Sequence, residues 1–195
     1  RVEVTEDVDL ARVSFGWIAP PAYGPDDAPL EVAATVLAGG RATRLYRALI
    51  TEESVATDVG AYLDANELAS IVEVTATGKR GIPGAALEQR LDAVVAELGR
   101  SGPTPAELAR AKRRILVDLY SDLQRLDGGG GDTGRAGLLQ RFHHYLDDPG
   151  FLPRYVARIE AVTAGDVARA VTEQLGPSRR ATVITRPEGA SAEAK

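Results

Sequence analysis

The chain has 195 residues, of which 44% are hydrophobic and 26% charged, a composition typical of an ordinary globular domain with a sizeable core. Its net charge of −5 and aromatic content of 5% argue against binding to nucleic acids or to an anionic membrane surface. The chain contains no cysteine, which excludes disulfides, thiolate metal sites and cysteine nucleophiles. It also contains no methionine and begins at Arg1 within a strand-like sequence, so we expect it to be part of a longer protein.

Alternating hydrophobic residues predict the first strand. Val13, Phe15 and Trp17 occupy every second position between residues 12 and 18, which is typical of a half-buried strand. Prolines and glycines then indicate a loop that leads into a helix. The carboxylate of Asp26 or Asp27 can cap the N-terminus of this helix. Its predicted inward-facing residues are Leu30, Ala33, Ala34 and Leu37.

Two glycines are expected to end this helix after Ala38. Gly39 and Gly40 suit a helix end because glycine accepts the left-handed conformation that often occurs there. A short helix is predicted at about 42–51, followed by strands at about 54–63 and 69–77. In the second strand, valine and alanine alternate with Glu73, Thr75 and Thr77, which indicates a sheet with one face exposed to solvent.

The C-terminal half is predicted to be mainly helical. A helix at about 84–98 should end at Gly99, and the next should begin with a capping box formed by Thr104 and Glu107. Leucines and other apolar residues at helical spacing continue this helix to about Leu126, and Gly128–Gly131 is expected to form a flexible connection. Further elements are predicted at about 135–145, 153–160 and 166–175 (helices) and 181–185 (strand).

The order of these elements predicts an α+β fold with a largely antiparallel sheet and helices packed on one face. No shift in composition divides the chain, so we expect a single domain over residues 1–187. Residues 188–195 are rich in Ala, Gly, Ser and Glu, and this segment is expected to be a disordered tail.

No catalytic or metal-binding pattern is evident in the residues themselves. His143 and His144 are the only histidines, and adjacent residues on a helix diverge by about 100°, so they cannot face one metal ion. Neither His-x-x-Glu-His nor His-Glu-x-x-His is present. The glycines at 128–131 lack the following Lys-Ser/Thr of a phosphate loop. The basic residues at 110–114 are expected to form a solvated helix face.

Four segments in order resemble the pitrilysin/insulinase-type zinc metallopeptidases and the subunits of mitochondrial processing peptidase. The strand and helix at 15–38 match the beginning of that fold, and residues 38–49 (AGGRATRLYRAL) resemble its "Leu-Gly-Gly-Gly-x-x-Ser-Arg-Leu-Tyr-x-x-Leu" segment. Residues 104–112 resemble "Thr-x-x-Glu-Leu-x-x-Ala-Lys", and residues 155–167 resemble "Tyr-x-x-x-Ile-x-x-Val-Thr-x-x-Asp-Val". The similarity extends over about residues 13–185.

The resemblance implies that two homologous units have different roles. In that family α+β units close around an unfolded peptide, and one unit carries zinc on His-x-x-Glu-His while the other carries none. Because this chain lacks the motif, it resembles the zinc-free, C-terminal unit. The resemblance then implies that the chain binds no cofactor itself and that it encloses and positions a peptide substrate. Its partner would be a zinc-bearing domain, in the same polypeptide or in another subunit, and the parent protein would be a zinc metalloendopeptidase.

The resemblance also implies positions for site residues. The second unit often contributes an arginine and a tyrosine, seven residues apart, and the matching positions here are Ile50 and Thr57. Neither residue can stabilise an oxyanion by charge or by a phenolic hydrogen bond, so no catalytic residue is predicted. The candidates for the substrate chamber are Arg44, Tyr46, Gly39 and Gly40.

Two alternatives to a peptidase domain remain open at this point. One is a non-enzymatic scaffold or assembly protein, because the core subunits of the respiratory bc1 complex resemble this family as well. The other is a small-molecule-binding module, for which no sequence feature was found. The compartment is not specified by the sequence, although a periplasmic location would suit a bacterial source.

Overall fold

Five strands form a single sheet with β2 at its centre. The computed structural model describes residues 1–126 and 134–188, and the strand order across the sheet is β1-β5-β2-β4-β3. The β1 and β5 strands are parallel, whereas the other three neighbouring pairs are antiparallel. The strands are β1 (Val2–Glu6), β2 (Arg12–Ala19), β3 (Ala56–Asp64), β4 (Ser70–Gly78) and β5 (Arg180–Pro187). The predicted α+β fold with a largely antiparallel sheet is confirmed.

The helices cover one face of this sheet. Among the described residues they are α1 (Asp27–Ala38), α2 (Gly84–Ser101), α3 (Pro105–Leu123), α4 (Gly134–Leu146), α5 (Leu152–Ala161) and α6 (Ala164–Gln174). The α1, α2 and α6 helices contact the strands directly, and α3 and α5 pack against α1 as an outer layer. Val13, Phe15 and Trp17 point into this interface and are fully buried, as their spacing predicts.

Two helices begin with reciprocal capping boxes. The backbone N–H of Glu107 donates to Thr104 Oγ1 at 3.3 Å, and the N–H of Thr104 donates to Glu107 Oε2 at 2.8 Å. Thr163 and Asp166 make the same pair of bonds at the start of α6, at 2.9 and 3.1 Å. Each box satisfies two N–H groups that the helix itself leaves without partners, so both helix starts are set by local sequence. The predicted box at Thr104 is confirmed.

The prediction that α2 ends at Gly99 is wrong. The helix continues to Ser101 and ends at Gly102, whose φ of +65° is the left-handed conformation that favours glycine. Gly99 is instead a contact point with α6. A Cβ atom at Gly99 would lie 3.1 Å from Thr172 Oγ1 and 3.3 Å from Val171 Cγ1. Close helix packing, rather than helix termination, therefore explains this glycine.

The prediction that Asp26 or Asp27 caps α1 is also wrong. Asp26 occupies the N-cap position but makes no side-chain capping bond, because its carboxylate accepts from Gln174 Nε2 at 3.0 Å and from Arg169 Nη1 at 2.9 Å. Asp27 accepts from the backbone N–H of Tyr23 at 2.9 Å. These carboxylates hold the preceding loop and α6 in place instead of closing the helix.

Three further elements differ from their predicted form. The short helix expected at 42–51 is a π-helical segment over Tyr46–Glu52, and the long α3 ends at Leu123, which leaves Leu126 exposed. Thr75, predicted to be exposed, is buried because it faces Gly60, where a Cβ atom would lie 2.8 Å from Thr75 Oγ1. A glycine on the neighbouring strand thus leaves room that the threonine side chain fills.

Two predicted features lie partly or wholly outside the described residues. The flexible connection at Gly128–Gly131 lies wholly outside them. Of the tail predicted at 188–195, only Glu188 is described, and its backbone N–H donates to the carbonyl of Glu6 at 3.0 Å.

Truncation of a core leucine on α2 tests this packing. Leu91 is fully buried in the cluster between α2 and the sheet. We expect Leu91→Ala to lower the free energy of unfolding by about 2–5 kcal/mol, since it removes buried methyl groups and leaves a cavity. Leu68 in the loop between β3 and β4 is 89% exposed and serves as the control. Urea denaturation should show Leu68→Ala within about 0.5 kcal/mol of the parent chain, and equal effects would contradict the core assignment.

Candidate functional site

One face of the sheet carries no helix among the described residues, and we call it the open face. Its residues form four rows across the strands, and each row follows the pairing register of the sheet. From one end of the sheet to the other, the rows are Val4–Thr185–Arg12–Thr77–Asp58, Val2–Val183–Ser14–Thr75–Gly60, Ala181–Gly16–Glu73–Tyr62 and Ile18–Ile71–Asp64.

The open face has large apolar side chains at its periphery and small residues at its centre. Ile18 is 71% exposed and lies directly across from Ile71, which is also exposed. The exposed Val2 and Val183 form a second apolar pair toward the β1 edge. Gly16 lies at the centre, and a Cβ atom there would meet nothing within 4 Å. The face is therefore a shallow apolar surface on which another polypeptide backbone can approach the sheet closely.

Acidic residues concentrate on the β3 and β4 side of the open face. Asp58 and Asp64 lie on β3, and Glu73 lies on β4 opposite Tyr62. The hydroxyl of Tyr62 donates to the Glu73 carboxylate, and this hydrogen bond raises the pKa of Tyr62. Arg12 is the basic residue of the four rows. One half of the surface is consequently anionic and the other half mainly apolar.

Arg44 is held in a bidentate ion pair away from the strands. Its Nε and Nη2 atoms donate to the two carboxylate oxygens of Glu107 at 3.0 and 2.9 Å, and Nη2 also donates to the carbonyl of Gly102 at 2.7 Å. These bonds hold the pKa of Glu107 down, to about 2. Arg44 thereby connects the residues before the π-helical segment to the junction of α2 and α3.

The other residues suggested by the family resemblance lie in different surroundings. Ile50 is half-buried and packs against the core, whereas Thr57 is exposed at a bulge in β3 and donates to the carbonyl of Thr77 at 3.2 Å. Tyr46 begins the π-helical segment and is half-buried. None of these residues, nor Arg44, belongs to a row of the open face.

Gly39 and Gly40 form a tight turn after α1. A Cβ atom at Gly39 would lie 2.6 Å from the carbonyl oxygen of Thr35, and Gly40 has a φ of +143°. Both positions therefore require glycine for backbone reasons. The two residues line a cavity of about 160 Å³ together with Glu107 and the arginines at 110 and 114.

The two histidines diverge as expected for neighbours on a helix. His143 Nδ1 lies 3.5 Å from Asp147 Oδ1, and His144 Nε2 lies 3.3 Å from Glu67 Oε2. Both side chains are exposed. Across residues 1–126 and 134–188, no three His, Cys, Asp or Glu side chains come together in a way that could hold a metal ion. In the same ranges, no helix is long and apolar enough to cross a membrane.

Sequence analysis missed a pair of acidic residues on α1. Asp27 and Glu31 are four positions apart on α1 and line a cavity with Tyr155. The signal was present, because two carboxylates at helical spacing on an otherwise apolar helix are unusual.

Comparison with known proteins identifies the family. Residues 1–115 match the family described as Peptidase M16 inactive domain, and the chain belongs to that family. No protein of curated function matches the chain in sequence. The resemblance to zinc metallopeptidases of this family, inferred from four short segments, is confirmed.

Several solved structures share the fold at low sequence identity. A protease from Helicobacter pylori is 22% identical with a TM-score of 0.83, and the match covers 95% of this chain and 43% of that one. An inactive peptidase domain from Bordetella parapertussis is 23% identical with a TM-score of 0.77, covering 93% of this chain and 95% of that one. A chain of Complex III2 from Candida albicans is 16% identical with a TM-score of 0.74, covering 94% and 45%. This chain thus spans less than half the length of the Helicobacter protease.

The Arg44–Glu107 ion pair generates a pH-dependent prediction. The pKa of Glu107 falls from 4.5 to about 2 in the fold. The ionised carboxylate therefore contributes stability that is fully present above about pH 4.5 and is lost as the pH falls through about 2. We expect Glu107→Gln to lower the free energy of unfolding by about 1–3 kcal/mol at pH 7. Urea denaturation should show this difference narrowing between pH 4.5 and pH 2.

The exposed pair of Arg47 and Glu52, with N–O distance 3.3 Å, provides the control. Glu52→Gln should change stability by less than about 1 kcal/mol at either pH, since exposed ion pairs contribute little. A pH-independent effect of Glu107→Gln would show that the carboxylate acts through packing and not through its charge.

The arrangement of ligand-forming residues predicts weak binding of zinc by the isolated chain. A zinc site needs about three or four converging ligands, and the described residues offer no such group. Calorimetric titration with zinc should give no stoichiometric site tighter than about 1 μM, and a chelator should leave the thermal unfolding midpoint unchanged. One tight site per chain would contradict the prediction.

Proposed function

We propose that this chain forms the zinc-free wall of the substrate chamber in a zinc metallopeptidase. The observation that carries the proposal is the open face, where a five-stranded sheet exposes Ile18, Ile71 and Val183 while its opposite face is packed with helices. Exposed apolar side chains clustered on one surface mark a site of contact with another molecule. Membership of the Peptidase M16 inactive domain family supports a peptide as that molecule.

The open face suits an extended peptide. The small residues Ser14 and Gly16 on the central strand allow a peptide backbone to lie close to the sheet. Alternate side chains of an extended peptide point to the same side, where the exposed isoleucines and valines can contact them. Contacts of this kind position a substrate without selecting a single sequence.

Peptide-bond hydrolysis would then belong to a partner domain. When bound there, zinc would polarise the scissile carbonyl and lower the pKa of a water molecule. The described residues of this chain hold no group that fits a zinc ion, so we assign the ion to a homologous zinc-bearing domain in the same polypeptide or in another subunit. The contribution of this chain is to enclose the peptide and hold it in place.

A second candidate function is that of a non-enzymatic assembly subunit. The fold is shared with a chain of Complex III2 from Candida albicans, and Ile50 and Thr57 provide no cationic or phenolic group. In this case the open face would be covered permanently by another subunit. The presence of His-x-x-Glu-His in the partner domain distinguishes the peptidase from the scaffold.

Substitutions on the open face test the peptidase proposal. The chain is combined with its zinc-bearing domain, and cleavage of an unstructured fluorogenic peptide is measured. We expect activity that neither part shows alone. Ile18→Lys and Ile71→Lys should each raise KM roughly fivefold, with a smaller change in kcat, because each removes about 1 kcal/mol of apolar contact with the peptide.

Val117 provides a matched control, because it is exposed on α3 on the helical side of the sheet. Val117→Lys should leave KM unchanged. Equal KM values for all three variants and the parent would mean that the substrate does not contact the open face. If the combined domains form a stable complex with no peptidase activity, the scaffold function replaces the proposal.

A further inference from the structure

A cavity of about 340 Å³ lies within the helical layer, on the side of the sheet opposite the open face. It is lined by residues of α1, the end of β3, α3, α4 and α5. The residues that determine its chemistry are Tyr23, Asp27, Glu31, Arg141, Phe142 and Tyr155. Its volume falls in the range of about 300–1,000 Å³ that is typical of sites for small ligands.

Two carboxylates on α1 form the floor of this cavity without a cationic partner. Asp27 is only 5% exposed, and among the described residues neither it nor Glu31 forms an ion pair. The Oδ2 atom of Asp27 accepts from the N–H of Tyr23 at 2.9 Å. Both oxygens of Glu31 accept from the Tyr155 hydroxyl, at 3.0 and 2.8 Å. A buried carboxylate without a counter-ion carries an unfavourable desolvation energy that a bound cation would offset.

Two further acidic residues around the cavity lie on α3. Asp118 and Asp122 line the cavity from this helix, and they pair with Arg114 at 2.6 Å and Arg125 at 3.0 Å on the outer surface.

Arg141, from α4, is the one basic side chain among the described residues that line the cavity. Its Nη2 atom donates to the carbonyl of Ala65 at 3.0 Å rather than to either carboxylate on α1. Asp27 and Glu31 thus outnumber the single guanidinium of the described lining, so the cavity favours a cation over an anion.

Aromatic rings provide the other half of the lining. Tyr23 packs edge-to-face against Phe142 and Tyr155, with ring centroids 5.6 and 6.2 Å apart. Tyr23 has a φ of +60°, an unusual conformation for a large residue, and Arg158 donates to its carbonyl and so holds the loop. Aromatic faces beside carboxylates attract organic cations, because the ring quadrupole and the anionic charge act in the same direction.

We propose that this cavity binds a small organic cation with an ammonium or guanidinium group. The cationic group would lie between Asp27 and Glu31, and its aliphatic chain would pack on Tyr23 and Phe142. A metal ion does not fit, because no three acidic or histidine side chains in the described ranges converge on one point. The same chemistry is available from a free amine and from a lysine or arginine side chain of a peptide.

The pH dependence of ligand binding provides a second test of the proposed site, through the ionisation of Glu31. Burial raises the pKa of Glu31 to about 7, and burial also raises the pKa of Tyr155, which keeps its hydroxyl as a donor. A cation beside Glu31 favours the ionised carboxylate, so binding should release a proton near neutral pH. Affinity should therefore be higher at pH 8 than at pH 5.5, where Glu31 is protonated.

Calorimetry with agmatine, which carries an ammonium and a guanidinium, tests the proposal on the 195-residue chain. We expect one saturable site with a dissociation constant below about 1 mM at pH 8. Asp27→Asn and Glu31→Gln should each weaken binding about tenfold or more, as expected for loss of one member of a buried charge pair. Asp9→Asn, in the loop between β1 and β2 with an exposed carboxylate, is the matched control and should leave the affinity unchanged. A short peptide with a single internal arginine forms the second arm, and its ability to displace agmatine from the site shows whether a peptide side chain can supply the cation.

Leu138→Trp keeps the charges and fills the cavity, so it should abolish binding even if an acidic-residue variant fails to fold. The cavity assignment is overturned if agmatine shows no saturable binding. It is equally overturned if the Glu31→Gln and Leu138→Trp variants, both with cooperative unfolding, bind as tightly as the parent chain. Binding that is the same at pH 5.5 and pH 8 would remove Glu31 from the site.

Discussion

The one-sided burial of β2 is the constraint from which the rest of the structure follows. Phe15 and Trp17 pack edge-to-face with ring centroids 5.7 Å apart, and the indole N–H of Trp17 donates to the carbonyl of Gly176 at 3.0 Å. The guanidinium of Arg180 stacks 3.7 Å from the centre of the Phe15 ring and pairs with Asp92 on α2. These contacts connect the central strand to β5 and to the helices on the same side of the sheet. The helical layer therefore packs on that one face.

Because the helices occupy one face, the other face is available for an intermolecular role. Because this face has no helical cover among the described residues, its β-branched and aromatic residues are exposed, and Ile18, Ile71 and Tyr62 are among them. In an isolated domain such a surface would be a liability. It becomes useful when a second domain or a peptide covers it, which is why the open face and the family membership support the same function.

The regular elements could be predicted from sequence because their signals are local. Alternation at Val13, Phe15 and Trp17 sets a strand and its buried face, and Thr104 with Glu107 sets a helix start within four residues. The errors at Gly99 and Thr75 have a different origin. Both residues are determined by a partner that is distant in sequence, Thr172 in the first case and Gly60 in the second. A single sequence does not contain that pairing information.

The candidate sites differ in predictability for the same reason. The conformational preference of glycine predicted the helix end at Gly39 and Gly40, but the fixed position of Arg44 depends on Glu107, which is 63 residues away. The cavity beneath α1 needs residues from five elements, and only its acidic pair on one helix leaves a local trace.

The open face and the cavity lie in different layers of the domain. The open face is built from strands alone, whereas the cavity is built mainly from helices and its Glu31–Tyr155 bond joins α1 to α5. The α1 helix also packs against β3, which carries Tyr62 and Asp64. A ligand that binds only the folded cavity stabilises that packing by mass action. A ligand in the cavity would thus also stabilise the packing of α1 against β3, the strand at the acidic side of the open face.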